Sequence, residues 1–270
     1  MDSIAKTSLL TAAMRALETQ RSEAEGRLFS DPYADLLAGD EGKLLLQRAI
    51  AVSGEQPAVP IRTAFMDQRI NHFVCEGVRQ VVILAAGMDT RSFRLNLPKE
   101  TVIFELDRQE VFAYKIEKLR DVRPNCIRKI LPVDLREEWH EQLKQSGFKR
   151  NERTLWLVEG LLMYLEETQV RALFSRLSML SSPNDVMLLD ILSKTLLQAP
   201  HMQNQLDFLA SIEAPWKFGT DDPEVFMKGL GWSANVTQPG EFAPKRWPFP
   251  TAPRSTPNVP RGFYIEALKL

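Results

Sequence analysis

The sequence predicts an α/β fold: a doubly wound, Rossmann-like sheet, mostly parallel with an antiparallel last strand, with N-terminal helices and a helical lid insertion. Three observations predict it. From residue 79 to 192, short apolar runs alternate with amphipathic segments, the rhythm of strand-helix units that build a parallel sheet. The first run, Val81-Val82-Ile83-Leu84, breaks into a turn of small residues, Ala85-Ala86-Gly87. The second, Val102-Ile103-Phe104-Glu105-Leu106-Asp107, follows about twenty residues on and ends in acid. A small-residue turn after strand one and an acid after strand two form the nucleoside-binding corner of such a sheet.

The elements follow in order. Residues 1–75 read as helical, within an N-terminal cap of 1–78. Ala12, Ala13, Ala16 and Leu17 favour helix, and Ser30-Asp31-Pro32 is a helix-start signal with proline in the first turn. A helix over 58–76 places Ile61, Ala64, Phe65, Ile70, Phe73 and Val74 near a 3.6 period. The β/α core runs from 79 to 192. It has strand one at 80–85, strand two at 101–107, a helix at 108–119 and strand three at 126–131. Val133-Asp134-Leu135 leads into a helix at 136–145, then come strand four at 154–158 and a helix at 167–180. Strand five, 185–192, reads as the unbroken apolar run of a central parallel strand. Residues 193–230 depart from the rhythm and read as the helical insertion. The C-terminal region, 231–270, supplies strands at 232–237 and 262–269, joined by a proline-rich connection from Pro239 to Pro260. The chain is read as one domain.

Composition narrows the function. The chain has 270 residues, 44% of them hydrophobic, enough for a full core. The net charge is −1 and no basic stretch stands out, so nucleic acid is not an expected partner. Cys75 and Cys126 read as buried thiols of a reducing compartment, and no metal site is expected. No apolar stretch approaches the roughly 20 residues that span a bilayer. The start, Met1 to Lys6, lacks a basic segment followed by an apolar one, so no signal peptide is expected and a cytoplasmic location is.

The turn separates two cofactor classes. A dinucleotide wants G-x-G-x-x-G, because its pyrophosphate lies against bare backbone at a helix N-terminus. Here Gly87 stands alone and bulky Met88 follows it, which disfavours a nucleotide-dependent oxidoreductase. S-adenosylmethionine, a nucleoside carrying an amino acid and no phosphate, fits better. Ligands of such sheets bind beyond the carboxyl ends of the strands. Acids stand there after three successive strands: Asp107 with Glu105 two residues earlier, Asp134, and Glu159. They are expected to face one cleft. Asp107 would hold the ribose diol, Asp134 with the backbone of Leu135 the adenine, and Glu159 the ammonium, around the turn residues Ala85 and Gly87. Taken singly, each acid could equally cap a helix.

Further motifs run along the chain. Ala12-Ala13-Met14-Arg15-Ala16-Leu17-Glu18, Leu28-Phe29-Ser30-Asp31-Pro32-Tyr33-Ala34, Arg62-Thr63-Ala64-Phe65-Met66-Asp67 and Gly87-Met88-Asp89-Thr90-Arg91 with Arg94-Leu95 are four of them. Glu105-Leu106-Asp107, Val133-Asp134-Leu135 and Glu159-Gly160-Leu161 with Tyr164-Leu165 complete the set. The chain so resembles the leucine carboxyl methyltransferase-like class of S-adenosylmethionine-dependent methyltransferases. It is most similar to the bacterial branch that includes tetracenomycin-type polyketide O-methyltransferases. The resemblance implies a class I methyltransferase sheet. It implies cofactor contacts from Arg62, Gly87, Asp107, Asp134 with Leu135, and Glu159. Arg62 would pair with the cofactor's carboxylate. The family's N-terminal basic residue has two candidates here, Arg15 and Arg21.

Methyl transfer from a sulfonium is an in-line displacement, which an enzyme promotes mainly by positioning. A carboxylate acceptor is already ionised at neutral pH, whereas a phenol would gain from a base. His72 and His140 fall on scaffold helices; His201 lies in the insertion. No base is assigned, and Tyr164 is the candidate acceptor-site residue. The insertion and the residues after it carry Phe208, Trp216, Phe218, Phe226 and Trp232, which suit a lid over an apolar acceptor and equally suit packing. The expected function is O-methylation of a small molecule, foremost a carboxylate of a secondary metabolite, polyketide, or fatty or aromatic acid. The alternatives are a hydroxyl acceptor and a non-catalytic cofactor-binding protein.

Overall fold

The computed structural model describes residues 3–270, with side chains from residue 6 onward; Met1 and Asp2, part of the start read above, lie outside the described residues. Three helices come first: α1 (Ser3–Gln20), α2 (Ala34–Ser53) and α3 (Ala58–Cys75). The alternating core follows with β1 (Gln80–Leu84), α4 (Arg91–Arg94), β2 (Val102–Asp107), α5 (Gln109–Lys118), β3 (Ile127–Pro132), α6 (His140–Gln145) and β4 (Thr154–Val158). It ends in a 3₁₀ turn (Leu162–Tyr164), α7 (Glu167–Leu180) and β5 (Val186–Leu192). Between β5 and the last strand pair lie α8 (Lys194–Leu197), α9 (Gln203–Ser211) and α10 (Pro223–Gly229). β6 (Trp232–Thr237), α11 (Pro239–Phe242) and β7 (Gly262–Lys269) close the chain. Among the described residues no helix is long and apolar enough to cross a membrane.

The sheet has seven strands in the order β3-β2-β1-β4-β5-β7-β6. β1 to β5 run parallel, and β7 is antiparallel to both β5 and β6. The order reverses between β1 and β4, so the crevice of a doubly wound sheet opens there. Side chains alternate between two cores, as the pleat requires. Val82, Phe104, Trp156 and Met187 enter one core with α7; Val81, Ile103, Leu155 and Leu188 enter the other with α3. Both faces are covered, which is why the central strands read as continuous apolar runs.

Four readings are corrected. The run in β5 is not unbroken: Asp190 stands in it, 4% exposed. The helix expected from Pro32 begins at Ala34, after a turn in which Asp31 Oδ1 accepts the Tyr33 N–H at 3.3 Å and the Asp31 carbonyl accepts the Ala34 N–H at 3.1 Å. The helix expected at 136–145 begins at His140, after a turn in which Asp134 accepts the Arg136 N–H at 2.9 Å. Cys126 is buried but Cys75, at the end of α3, is exposed.

Candidate active site

A cavity of about 950 Å³ opens beyond the carboxyl ends of β1, β2, β4 and β5. That lies toward the upper end of ligand pockets and leaves room for a cofactor with an acceptor. Arg15, Arg62, Ala85, Gly87, Asp107, Asp134, Leu135, Glu159 and Tyr164, the residues expected from the sequence, all line it. His201 lines it too; His72 and His140 do not, and pair with Glu76 and Glu138 on the scaffold. Arg21 is also elsewhere, paired with Glu18 and Glu55.

The turn after β1 meets the end of β2. The Gly87 N–H donates to Asp107 Oδ2 at 2.7 Å, and the Arg108 N–H donates to Oδ1 at 2.7 Å. Burial pushes the Asp107 carboxyl above its usual range, against the pull of these two N–H groups. Ala85 and Gly87 both have positive φ, 51° and 48°. Glycine at 87 has a packing reason: a Cβ there would stand 2.9 Å from the Ser8 Cβ of α1. The missing side chain lets α1 cover the turn.

Asp134, at the end of the third unit, is held by Arg136 through its N–H, its Nε at 3.0 Å and its Nη2 at 2.5 Å. Hydrogen bonding from Arg136 lowers its pKa. It thus shapes the turn and lines the cavity at once. Glu105 is a correction. It does not face the cleft but lies fully buried beneath it, bonded to Lys115 Nζ at 2.7 Å and to Arg128 at 2.8 and 2.7 Å.

Five of the sequence motifs meet in one chain of alternating charges. Arg15 Nε reaches Asp31 at 2.9 Å, and its Nη2 donates to the Met88 carbonyl at 2.6 Å. Asp31 lies 3.7 Å from Arg94, and Arg94 Nη1 donates to Asp67 at 2.6 Å. Asp67 also accepts from Arg91 Nε at 2.7 Å. Arg91 pairs with Asp89 and lies 2.8 Å from Glu159. Arg62 Nε donates to Glu159 at 2.9 Å, and Arg62 Nη1 to Asp190 at 2.9 Å. Buried ions survive in such geometry because each is paired and hydrogen-bonded. Burial raises the Glu159 pKa, but Arg91 and Arg62 outweigh it and hold Glu159 below its usual range. The same balance, led by Arg91, takes Asp89 down to about 2. At Asp190 burial prevails over Arg62, and its pKa is raised.

The sequence reading missed Asp190, Asp67, Arg91 and Arg94 as a network. An acid within an apolar central strand was the available signal for Asp190. The far wall of the cavity differed from expectation as well. Of the five aromatic residues cited above for the lid, only Trp216 lines it. Phe208 packs against Leu10 and Leu45, while Phe218 and Phe226 lie 5.2 Å apart in the sheet core. Met202 and Leu209 add to the wall, and the proline-rich connection supplies Trp247, Phe249 and Pro250. Arg261 holds that connection, donating to the Pro253, Thr256 and Val259 carbonyls at 2.8 to 3.0 Å.

Comparison with known proteins gives one answer. The family model described as leucine carboxyl methyltransferase matches residues 8–178. A Frankia alni protein described as "Putative S-adenosyl-L-methionine-dependent methyltransferase" is 35% identical over 244 residues, 85% of this chain and 82% of that protein. A Mycobacterium bovis protein of the same description is 38% identical over 198 residues, 67% of this chain and 59% of its own length. Among solved structures, a DUF574 family protein from Streptomyces avermitilis superposes with a TM-score of 0.67 over 96% of this chain and 97% of that one, at 12% identity. A methyltransferase candidate from Thermobifida fusca gives 0.65 over 88% and 92%, at 15% identity. At such identity the likeness carries the fold.

Proposed function

We propose that this chain, which belongs to the leucine carboxyl methyltransferase family and is an S-adenosylmethionine-dependent methyltransferase, methylates an oxygen of a small apolar acceptor, foremost a carboxylate. The observation that carries this reading is a single cavity with two unlike ends. One end gathers Asp107, Asp134, Arg62 and Glu159; the other is walled by Met202, Leu209, Trp216, Trp247, Phe249 and Pro250.

The donor set suits the cofactor. Asp107 has both oxygens fixed by backbone N–H groups, and each oxygen keeps a lone pair for a ribose hydroxyl. Arg62 spends two of its five N–H groups on Glu159 and Asp190, leaving donors for a carboxylate. Glu159 is ionised and suits an ammonium. Leu135 beside Asp134 gives an apolar flank for a base, and Arg15 braces the turn through the Met88 carbonyl. When bound, the cofactor supplies an activated methyl group. The chain's own task is to hold the acceptor oxygen in line and exclude water. α1 and the proline-rich connection line the cavity opposite the strand ends.

Glu159 and Asp89 each face an arginine that holds them below their usual range, which leaves them poor proton acceptors. A carboxylate acceptor needs no base, and the apolar wall suits a fatty, aromatic or polyketide acid of secondary metabolism. A hydroxyl acceptor is the second reading, favoured by one observation: His201 lines the same cavity, with Tyr164 near β4. Calorimetric titration with S-adenosylmethionine, S-adenosylhomocysteine and NAD tests the cofactor. Transfer of labelled methyl to matched sets of acids and phenols tests the acceptor. Phenols turned over in preference to acids would reverse the choice; NAD binding alone would end it.

A further inference from the structure

We propose that Asp190 is a positioning residue: it fixes the Arg62 guanidinium and the turn at Gly160 so that Arg62 and Glu159 grip the amino-acid end of the cofactor. This rests on the reading above that this end of the cavity takes S-adenosylmethionine. Asp190 comes from β5, Arg62 from α3, and Gly160 follows β4, so three separate elements meet at one carboxylate. One oxygen accepts the Gly160 N–H at 2.6 Å; the other accepts Arg62 Nη1 at 2.9 Å.

The glycine completes the arrangement. Gly160 has φ +65°, and a Cβ there would stand 2.9 Å from Arg62 Nη2. The guanidinium therefore lies flat against the turn. Arg62 enters from a helix above the sheet, on a long flexible stem, and needs both ends of its fork fixed to present one geometry. Glu159 fixes Nε and Asp190 fixes Nη1. An apolar side chain at position 190 would leave Gly160 N–H and Arg62 Nη1 without these partners in a buried site. Core packing alone would favour such a side chain, since a charge in a central strand is costly to bury. The charges agree with this role. The chain from Arg15 to Asp190 holds four arginines, at 15, 62, 91 and 94, and five acids, at 31, 67, 89, 159 and 190. Arg62 stands between two of these acids, Glu159 and Asp190, which hold its guanidinium from both sides.

The test uses two ligands that share adenosine and sulfur, S-adenosylhomocysteine and 5′-methylthioadenosine. Only the first has the amino-acid end. Asp190→Asn keeps the size but has one oxygen, so either an amide N–H faces Arg62 or a neutral oxygen does and Gly160 N–H loses its acceptor. Titrated by calorimetry on the full chain, Asp190→Asn and Arg62→Lys should each weaken S-adenosylhomocysteine by about tenfold or more. 5′-Methylthioadenosine should hold within about twofold, since it makes no contact there. The double variant should be no weaker than the worse single, because both act through one guanidinium. Equal losses for both ligands would mean a general structural role and overturn the proposal; so would an unchanged S-adenosylhomocysteine affinity. Asp190→Ser carries the same test where the asparagine variant does not fold. Asp107→Ala is the separate control: it should lose both ligands. Wild type that binds neither ligand would sink the cofactor reading itself, an outcome distinct from any pattern at Asp190.

Discussion

The two ends of the cavity are built on different physics. The β1–β4 end is a chain of alternating charges in which each buried ion is paired. Its directional bonds draw residues from α1, α3, α4, β4 and β5 into one geometry. The far end, from the insertion and the proline-rich connection, is lined largely by apolar side chains with His201, Asn204 and Gln205 among them, and is shaped by packing and by carbonyls gathered on Arg261. Charge pairing fixes positions through directional bonds and tolerates little change. Apolar packing tolerates volume-conserving change and so leaves room for a different acceptor.

Removing a link should cost most in the charged end. Asp67→Ala takes from Arg94 its two-pronged acid and from Arg91 one of three, and breaking such a buried pair costs about 3 kcal/mol. Chemical denaturation should show that loss; a change under about 1 kcal/mol would mean the chain is a redundant mesh. Next comes Asp107→Ala, with an expected fall of about a hundredfold in S-adenosylhomocysteine affinity from losing bonds to a charged group. Calorimetry would expose a smaller role if the loss stayed within a few fold.

Acid should reach the same end. Asp89 is held at about 2, whereas an unfolded aspartate titrates near 3.8. Between those values the unfolded chain binds more protons, so stability present above about pH 4 is lost as pH falls toward 2. Asp190, with its raised pKa, works in the opposite sense and above that window: the folded chain binds the extra proton there, so its share of stability grows as pH falls toward 3.8. Urea midpoints for wild type and Asp89→Asn across that range would test the assignment: a slope unchanged by the substitution would place the acid sensitivity elsewhere.

At the apolar end the effects should be smaller and of another kind. Phe249 is 52% exposed, so Phe249→Ala should change stability by less than about 0.5 kcal/mol and leave cofactor affinity alone. It should shift the relative turnover of large and small acids; identical acceptor profiles would remove the proline-rich connection from the acceptor wall. The smallest effect belongs to His201→Ala, with methylation of an acid within about twofold of wild type. A tenfold or greater loss on a phenol would instead favour the hydroxyl reading.

What was legible followed the same division. β4, α7, β6 and β7 lie where the periodicity put them, because apolar alternation and turn residues act locally. Asp107, Asp134 and Glu159 could be singled out because strand ends of a doubly wound sheet converge on one crevice. The same rule misled at Glu105, because its outcome depends on Lys115 and Arg128 reaching it from α5 and β3. It was silent at Asp190, because nothing adjacent in sequence says that Arg62 lies above it.

The sequence by itself determined the order of elements, the parallel core with its antiparallel end and the acids at the strand ends, since these depend on local propensity and period. Only the tertiary structure decided that Arg15, Asp31, Asp67, Arg91, Arg62 and Asp190 form one chain, that Gly87 makes room for α1, and that the proline-rich connection walls the cavity. Each of these joins residues far apart in sequence, and the pairing of distant charges and surfaces is set by how the helices dock on the sheet.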